Sequence, residues 1–209
     1  MKKYLVEFIG TFFLVFTVGM TVIGHDPNNF LLPLAIGSAL MIMVYAGGHV
    51  SGGHYNPAVT LAVWLRGRCA TADVPIYWIS QILGALIASQ VVLYLKGNPT
   101  VTPAEIKIIP ALIAEFVGTF ALAYVVLNVA TAKATAGNSF YGLAIGFTVV
   151  VMAFALGGVS GGAFNPAVAT GITIMHLEKA ANLWLYLVAN FGGGALAAVT
   201  FKFINPEDK

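Results

Sequence analysis

The chain has 209 residues, 59% of them hydrophobic and only 9% charged, against roughly 25% charged for a typical soluble domain. With a mean hydropathy of +0.89, it has too little charge to coat a water-exposed surface and too much apolar content for disorder, which argues against both. Ten Lys and Arg against eight Asp and Glu give a net charge of +2, with the basic residues scattered at segment ends, so no nucleic-acid partner is indicated.

A bilayer core of about 30 Å needs about 20 apolar residues per helix. Met1, Lys2 and Lys3 precede the first such run, residues 4–24. A secretory leader begins in the same way, but this run is too long, holds Glu7 and ends without a small-residue cleavage site, so it reads as a retained span. The second span is 31–48, after the turn-rich His25, Asp26, Pro27, Asn28 and Asn29. Residues 51–66 come next, Gly-rich at first and then apolar. The part beyond Pro57 is helix-like but roughly 14 Å long, half a membrane. Cys69 is the chain's one cysteine, so an internal disulfide is impossible, and beside Arg66 and Arg68 it reads as a free bystander thiol. Spans 75–95, 105–130 and 140–157 follow, then a second half-length segment at 160–176, and last a span at 182–204. Half-length apolar helices entered through Gly-rich loops are re-entrant segments, tolerated only where they line a polar cavity. The expected fold is therefore all-α and polytopic, with six transmembrane helices plus two re-entrant half-helices.

Six spans put both termini on one face. Lys2, Lys3, Arg66, Arg68, Lys133, Lys202 and Lys209 fall on that face, and Lys96, Lys107 and Lys179 on the other. The positive-inside rule makes the first face cytoplasmic. Tyr4, Tyr77, Trp78, Trp184 and Tyr186 lie near span ends and read as an interfacial aromatic belt.

The chain repeats itself. Leu34-Ala35-Ile36-Gly37 returns as Leu143-Ala144-Ile145-Gly146, and Asn56-Pro57-Ala58-Val59 as Asn165-Pro166-Ala167-Val168, both 109 positions later. Between residues 31–59 and 140–168, 15 of 29 ungapped positions are identical. Glu7-Phe8-Ile9-Gly10-Thr11-Phe12 returns as Glu115-Phe116-Val117-Gly118-Thr119-Phe120, and Gly84-x-x-x-Ala88, a small-residue packing pattern, as Gly193-x-x-x-Ala197. One repeat covers about 1–98, the other about 105–209, together one transmembrane domain. Each holds three spans, an odd number, so the second is inverted relative to the first.

The two half-helices then enter from opposite faces and their N-termini meet near the midplane. Each has Asn at the N-cap and Pro at the first helical position. Each N-terminus carries about half a positive charge. Two such ends plus the Asn56 and Asn165 amides donate to a neutral oxygen and repel cations. The runs Gly52, Gly53, His54 and Gly161, Gly162, Ala163 let the backbone turn its carbonyls inward as a lane of acceptors.

With its two Asn-Pro-Ala boxes after Gly-rich loops and its paired Glu-Phe-x-Gly-Thr-Phe, the chain resembles the major intrinsic protein family, the aquaporins and aquaglyceroporins, over essentially its whole length. The resemblance implies a homotetramer in lipid with one pore per subunit and passive flow, needing no cofactor or metal. It implies a selectivity filter at Ile36, Ala153, Gly162 and Val168, matched by spacing from the boxes. The family usually has Arg where this chain has Val168. Losing that Arg removes a fixed charge and five donors, so the filter is expected to be wide and apolar, passing water with glycerol, urea, ammonia or metalloid hydroxides. A water-selective pore is the alternative. The membrane would be the inner or plasma membrane of a cell.

Glu7 and Glu115 lie within spans and read either as a proton relay or as braces for the Gly-rich loops; the resemblance favours braces. His49 falls at the cytoplasmic mouth, as a structural group or a modest pH-sensitive gate, and has too few neighbouring ligands for a metal site. His176, Glu178 and Lys179 read as solvated surface. An enzyme would need a nucleophile and base, or facing acids, which this pattern lacks. An ion-coupled transporter would need a midplane carboxylate, where this chain has Asn.

Overall fold

The computed structural model describes residues 1–26, 29 and 31–208, so Pro27, Asn28 and Lys209 of the sequence reading lie outside the described residues. Its helices are α1 (Lys2–Val22), α2 (Leu31–Ser51), α3 (Pro57–Leu65), α4 (Val74–Leu95), α5 (Ile108–Val126), α6 (Tyr141–Ser160), α7 (Pro166–Ile174) and α8 (Leu183–Ile204). A π-helical turn, Leu127–Thr131, prolongs α5, and single 3-10 turns precede α6 and α8. Six of these helices, α3 and α7 excepted, are long and apolar enough to cross a membrane. The half-helices α3 and α7 have nine residues each.

The span ends differ slightly from the sequence reading. Helices α2 and α6 run on to Ser51 and Ser160, through Gly47-Gly48 and Gly157-Gly158. A glycine pair weakens a helix in water, but a segment without water as a competing partner keeps its intrahelical bonds. Helix α5 starts three residues late, at Ile108, after a stretch from 101 to 107 without regular structure.

Large apolar side chains line the outer helix faces, and small residues mark the helix crossings. Leu5, Ile9 and Phe13 form an exposed stripe on α1, and Ile79, Leu83 and Ile87 one on α4. Spacing of four puts each set on one helix face. Such stripes would be a liability in water and suit a lipid exterior. Inside, backbones close in at glycine. A β-carbon on Gly84 would stand 2.6 Å from Phe8 O, and one on Gly193 2.5 Å from Phe116 O. These are the α1–α4 and α5–α8 crossings, related by the repeat. Helices α2 and α6 cross at Gly37 and Gly146, where either β-carbon would meet the other residue's carbonyl at 2.5 Å.

The face bearing both termini is tied by ion pairs. Lys3 meets Asp73 at 2.6 Å, and Arg66 meets Asp208 at 2.6 Å. On the opposite face Lys179 pairs with Glu105 at 2.6 Å, and Lys96 Nζ donates to Ile23 O at 2.8 Å.

Candidate functional site: two capped half-helices between two cavities

The site starts from two caps. Asn56 sits in extended backbone, and its Oδ1 accepts from Ala58 N at 2.8 Å and Val59 N at 3.3 Å. Asn165 accepts likewise from Ala167 N at 2.9 Å and Val168 N at 3.4 Å. Side-chain oxygens thus satisfy amides that a helix start leaves open. Each Asn then uses one amide hydrogen across the repeat. Asn56 Nδ2 donates to Phe164 O and Asn165 Nδ2 to Tyr55 O, both at 2.9 Å. The N-termini of α3 and α7 therefore face each other, and each Asn keeps a second amide hydrogen.

The loops before the boxes are held from behind. Glu7 Oε1 accepts from Ser51 Oγ at 2.7 Å and His54 N at 3.0 Å; its Oε2 accepts from Tyr55 N and Gln81 Nε2, both at 2.7 Å. Glu115 does the same with Ser160 Oγ at 2.7 Å, Ala163 N at 2.9 Å, Phe164 N at 2.7 Å and Asn190 Nδ2 at 2.9 Å. Four donor groups converge on each of these fully buried side chains, whose oxygens serve as their acceptors. With the amides turned this way, the carbonyls of Gly52, Gly53, His54, Gly161, Gly162 and Ala163 meet no protein donor among the described residues. Gly53 and Gly162 hold φ of +64° and +67°, which glycine adopts without penalty.

Two cavities flank the caps. One, about 640 Å³, is bordered by Asn56, Asn165, Gly53, His54, Gly161, Gly162 and Ala163, and also by Ile36, Ala153 and Val168. It extends to His25, Thr102 and Glu178 on the face away from the termini. The other, about 780 Å³, opens on the terminal face past His49, Gly52, Arg68, Cys69 and Lys133. His54 and Val126 belong to both walls. All four positions expected in the filter thus border one cavity, and His49, which is exposed, borders the other.

The family model described as "Major intrinsic protein" matches residues 1–201. The chain belongs to the major intrinsic protein family. It is 36% identical over 217 aligned positions to "Glycerol uptake facilitator protein-like 6" of Lactiplantibacillus plantarum, covering all of both chains. It is 33% identical to "Nodulin-26" of Glycine max, covering all of this chain and 80% of that one. An aquaglyceroporin structure from Plasmodium falciparum superposes with a TM-score of 0.84 at 23% identity, covering 99% of this chain and 97% of that one, which shows the shared fold. Members of the family are channels, so this chain is an integral membrane channel and not an enzyme.

Within this major intrinsic protein, several sequence readings need correction. Tyr77 and Tyr186 are not interfacial. Both are buried, and their hydroxyls donate to Ser51 O at 2.7 Å and Ser160 O at 2.6 Å, the last residues of α2 and α6. Glu178 is not solvated: it is 3% exposed and accepts from Lys179 N at 2.7 Å and Asn182 Nδ2 at 2.8 Å. Arg66 is also buried, its guanidinium 4.6 Å from the Phe201 ring centre. Gln81 and Asn190, which complete the carboxylate sites, are not among the residues the sequence motifs single out; their signal is that two side-chain amides correspond at the 109-residue offset, as the two tyrosines do.

Proposed function

We propose that this channel passes water together with small uncharged solutes, namely glycerol, urea, ammonia or metalloid hydroxides, in single file past the two Asn-Pro-Ala boxes. The observation that carries the reading is the composition of the filter. Ile36, Ala153, Gly162 and Val168 border one cavity, and no Lys or Arg borders it among the described residues. These four positions carry no charged side chain and no fork of donors to select water over a bulkier polyol. The relative named as a glycerol uptake facilitator protein-like chain supports the same substrate class.

In this reading a permeant exchanges hydration for the carbonyls of Gly161, Gly162 and Ala163, then for the free amide hydrogens of Asn56 and Asn165, then for the carbonyls of Gly52, Gly53 and His54. Cations meet two helix N-termini of about half a positive charge each and are turned back. Glu7 and Glu115 act as braces, not as a proton relay, because every carboxylate oxygen already accepts two hydrogen bonds. His49 lines the cytoplasmic mouth. The chain forms one channel domain of two repeats, 1–98 and 105–209, with both termini cytoplasmic in the cell membrane. It assembles in lipid as a homotetramer with a pore in each subunit.

Proteoliposome swelling with water, glycerol, urea and arsenite tests this directly, comparing the wild type with Val168→Arg. Solute flux in the wild type, cut at least roughly tenfold by the arginine while water flow persists, is the expected result; tenfold corresponds to about 1.4 kcal/mol. Water flow with no flux of any solute would favour the water-selective alternative and overturn the reading.

A further inference from the structure

The two cavities do not meet at the boxes. Asn56 and Asn165 both border the 640 Å³ cavity, which opens on the face away from the termini, and neither borders the 780 Å³ one. Ile36, Ala153, Gly162 and Val168 lie on that same 640 Å³ space. A path entering there passes the outer four and both caps before the wall changes. Among the described residues, those common to both cavities are His54, ahead of α3, and Val126, the last residue of α5. Gly53 still borders the outer space, while Gly52 opens on the terminal side.

The repeat shows what sets this point apart. Position 54 corresponds to 163 at the 109-residue offset, and position 126 to 18 at the 108-residue offset that relates Glu7 to Glu115. On the outer side the equivalent pair is therefore Ala163 and Val18, and both line the outer cavity. The valines match, but on the inner side an imidazole stands where the outer side has a methyl group. Neither inner side chain is free to step aside. His54 Nδ1 lies 3.1 Å from Thr60 Oγ1, which accepts from Gln81 Nε2 at 3.0 Å. The imidazole also packs on the Tyr77 ring, 5.1 Å between centres, and Tyr77 is anchored by its hydroxyl to Ser51 O. Val126 is buried, and a β-branched side chain in a helix has one strongly preferred rotamer. His54 is 7% exposed, and its Nε2 meets no protein partner among the described residues.

We propose that His54 and Val126 are specificity-determining residues that set the upper solute size of this channel, at a ring on the terminal side of the Asn-Pro-Ala boxes. The ring is amphipathic. Nε2 offers a permeant one polar contact where the path changes cavities, and Val126 offers none. A small solute with a polar and an apolar side fits such a ring. Each further carbon unit has to displace walls that are pinned, which a close-packed interior resists. The outer four then serve as an uncharged antechamber.

The proposal rests on the channel reading above and goes beyond it by moving the size limit from the outer four to the inner pair. Proteoliposome swelling is measured with water, glycerol, erythritol, xylitol and sorbitol for the wild type, His54→Ala, Val126→Ala, Val126→Leu and Val168→Ala. Wild-type flux is expected to fall roughly tenfold at one step of the polyol series, the low end of what one carbon unit costs against a fitted wall. His54→Ala, which makes the inner pair match the outer one, and Val126→Ala should each move that step to a longer polyol. Val126→Leu should move it to a shorter one, and Val168→Ala should leave it in place. Retained water flow reports that a variant's pore is intact. A step moved by Val168→Ala and by no inner variant overturns the proposal, as does a step unchanged in every inner variant that conducts water. If the wild type conducts water and no polyol, the solute reading above fails, and glycerol alone then tests the inner pair. Glycerol entry in His54→Ala or Val126→Ala supports the proposal, and exclusion in both overturns it.

Discussion

Asn56 and Asn165 each donate, at 2.9 Å, to the carbonyl just before the other: Asn56 Nδ2 to Phe164 O, and Asn165 Nδ2 to Tyr55 O. The crossed pair welds two half-helices that enter from opposite faces, and it fixes the direction of the hydrogens that remain. Asn165→Asp keeps the capping oxygen, removes the crossing donor and adds a negative charge to the cavity wall. A unit charge 4 Å from a passing cation is worth about 4 kcal/mol at an effective dielectric constant of 20. Roughly 1.4 kcal/mol suffices for a tenfold change. Proton or sodium leak, read as gradient collapse in proteoliposomes, should therefore rise at least tenfold. A leak equal to the wild type's would mean that Asn165 does not face the path.

The two buried carboxylates carry a different prediction. Glu115→Gln turns an acceptor of four hydrogen bonds into a group with its own N–H hydrogens, which face donors. Hydrogen bonds to a charged group are worth about 1.5–3 kcal/mol each, so a net loss of about 3 kcal/mol is expected. For a chain of this size that lowers the melting temperature by roughly 6–12 °C. Glu7→Gln should match it, because its four partners are equivalent. Thermal unfolding in detergent reads both, and a shift under about 2 °C would remove the brace assignment.

Tyr55 and Phe164, just before the boxes, hold φ of +47° and +48°. This left-handed region costs a non-glycine residue roughly 1–2 kcal/mol, and the rings hold it by lying against Gly10 of α1 and Gly118 of α5. A β-carbon at either glycine would run into the ring. Gly10→Ala and Gly118→Ala should each destabilise by about 1–3 kcal/mol, the usual cost of overpacking. Gly157→Ala is the control, since nothing lies within 4 Å of its β-carbon position. Equal melting temperatures for all three variants would refute the ring-on-glycine account.

The sequence showed the parts of this channel that local chemistry determines. Asn56 and Asn165 each cap a half-helix whose first residue is Pro, and the 109-residue offset relates the two copies. The parts it hid depend on partners distant in the chain. Arg66 looked like a loop charge that sets topology, yet Asp208, 142 residues on, and Phe201 bury it. Glu178 looked solvated beside Lys179, but the chain folds back after α7, with Leu177 N donating to Ile172 O at 2.9 Å, and Tyr186 of α8 covers the carboxyl. Tyr77 and Tyr186 matched an interfacial belt by position near span ends. Only the exposed carbonyl end of the helix packed beside each of them gives the hydroxyl a buried partner.

The terminal face should make stability depend on acid. Lys133 N donates to Asp208 at 2.8 Å, with Arg66 at 2.6 Å and Arg68 at 3.6 Å. The Lys133 amide first, and then the Arg66 guanidinium, hold the Asp208 carboxyl below its usual range. Asp73 is held low in the same sense by hydrogen bonds from Lys3 and Tyr4. A carboxyl whose folded value is depressed contributes its full stability above its unfolded value, near 3.9, and loses it as pH falls through the folded value. The melting temperature in detergent should thus be flat from pH 8 to about 5 and decline below about 4. Asp208→Asn should lower the plateau, because it leaves the Arg66 guanidinium without its carboxylate, and should also shrink the acid decline. Adding Asp73→Asn should flatten the decline further. Wild type and Asp208→Asn falling in parallel between pH 5 and 3 would show that the Arg66–Asp208 contact contributes nothing to the acid dependence.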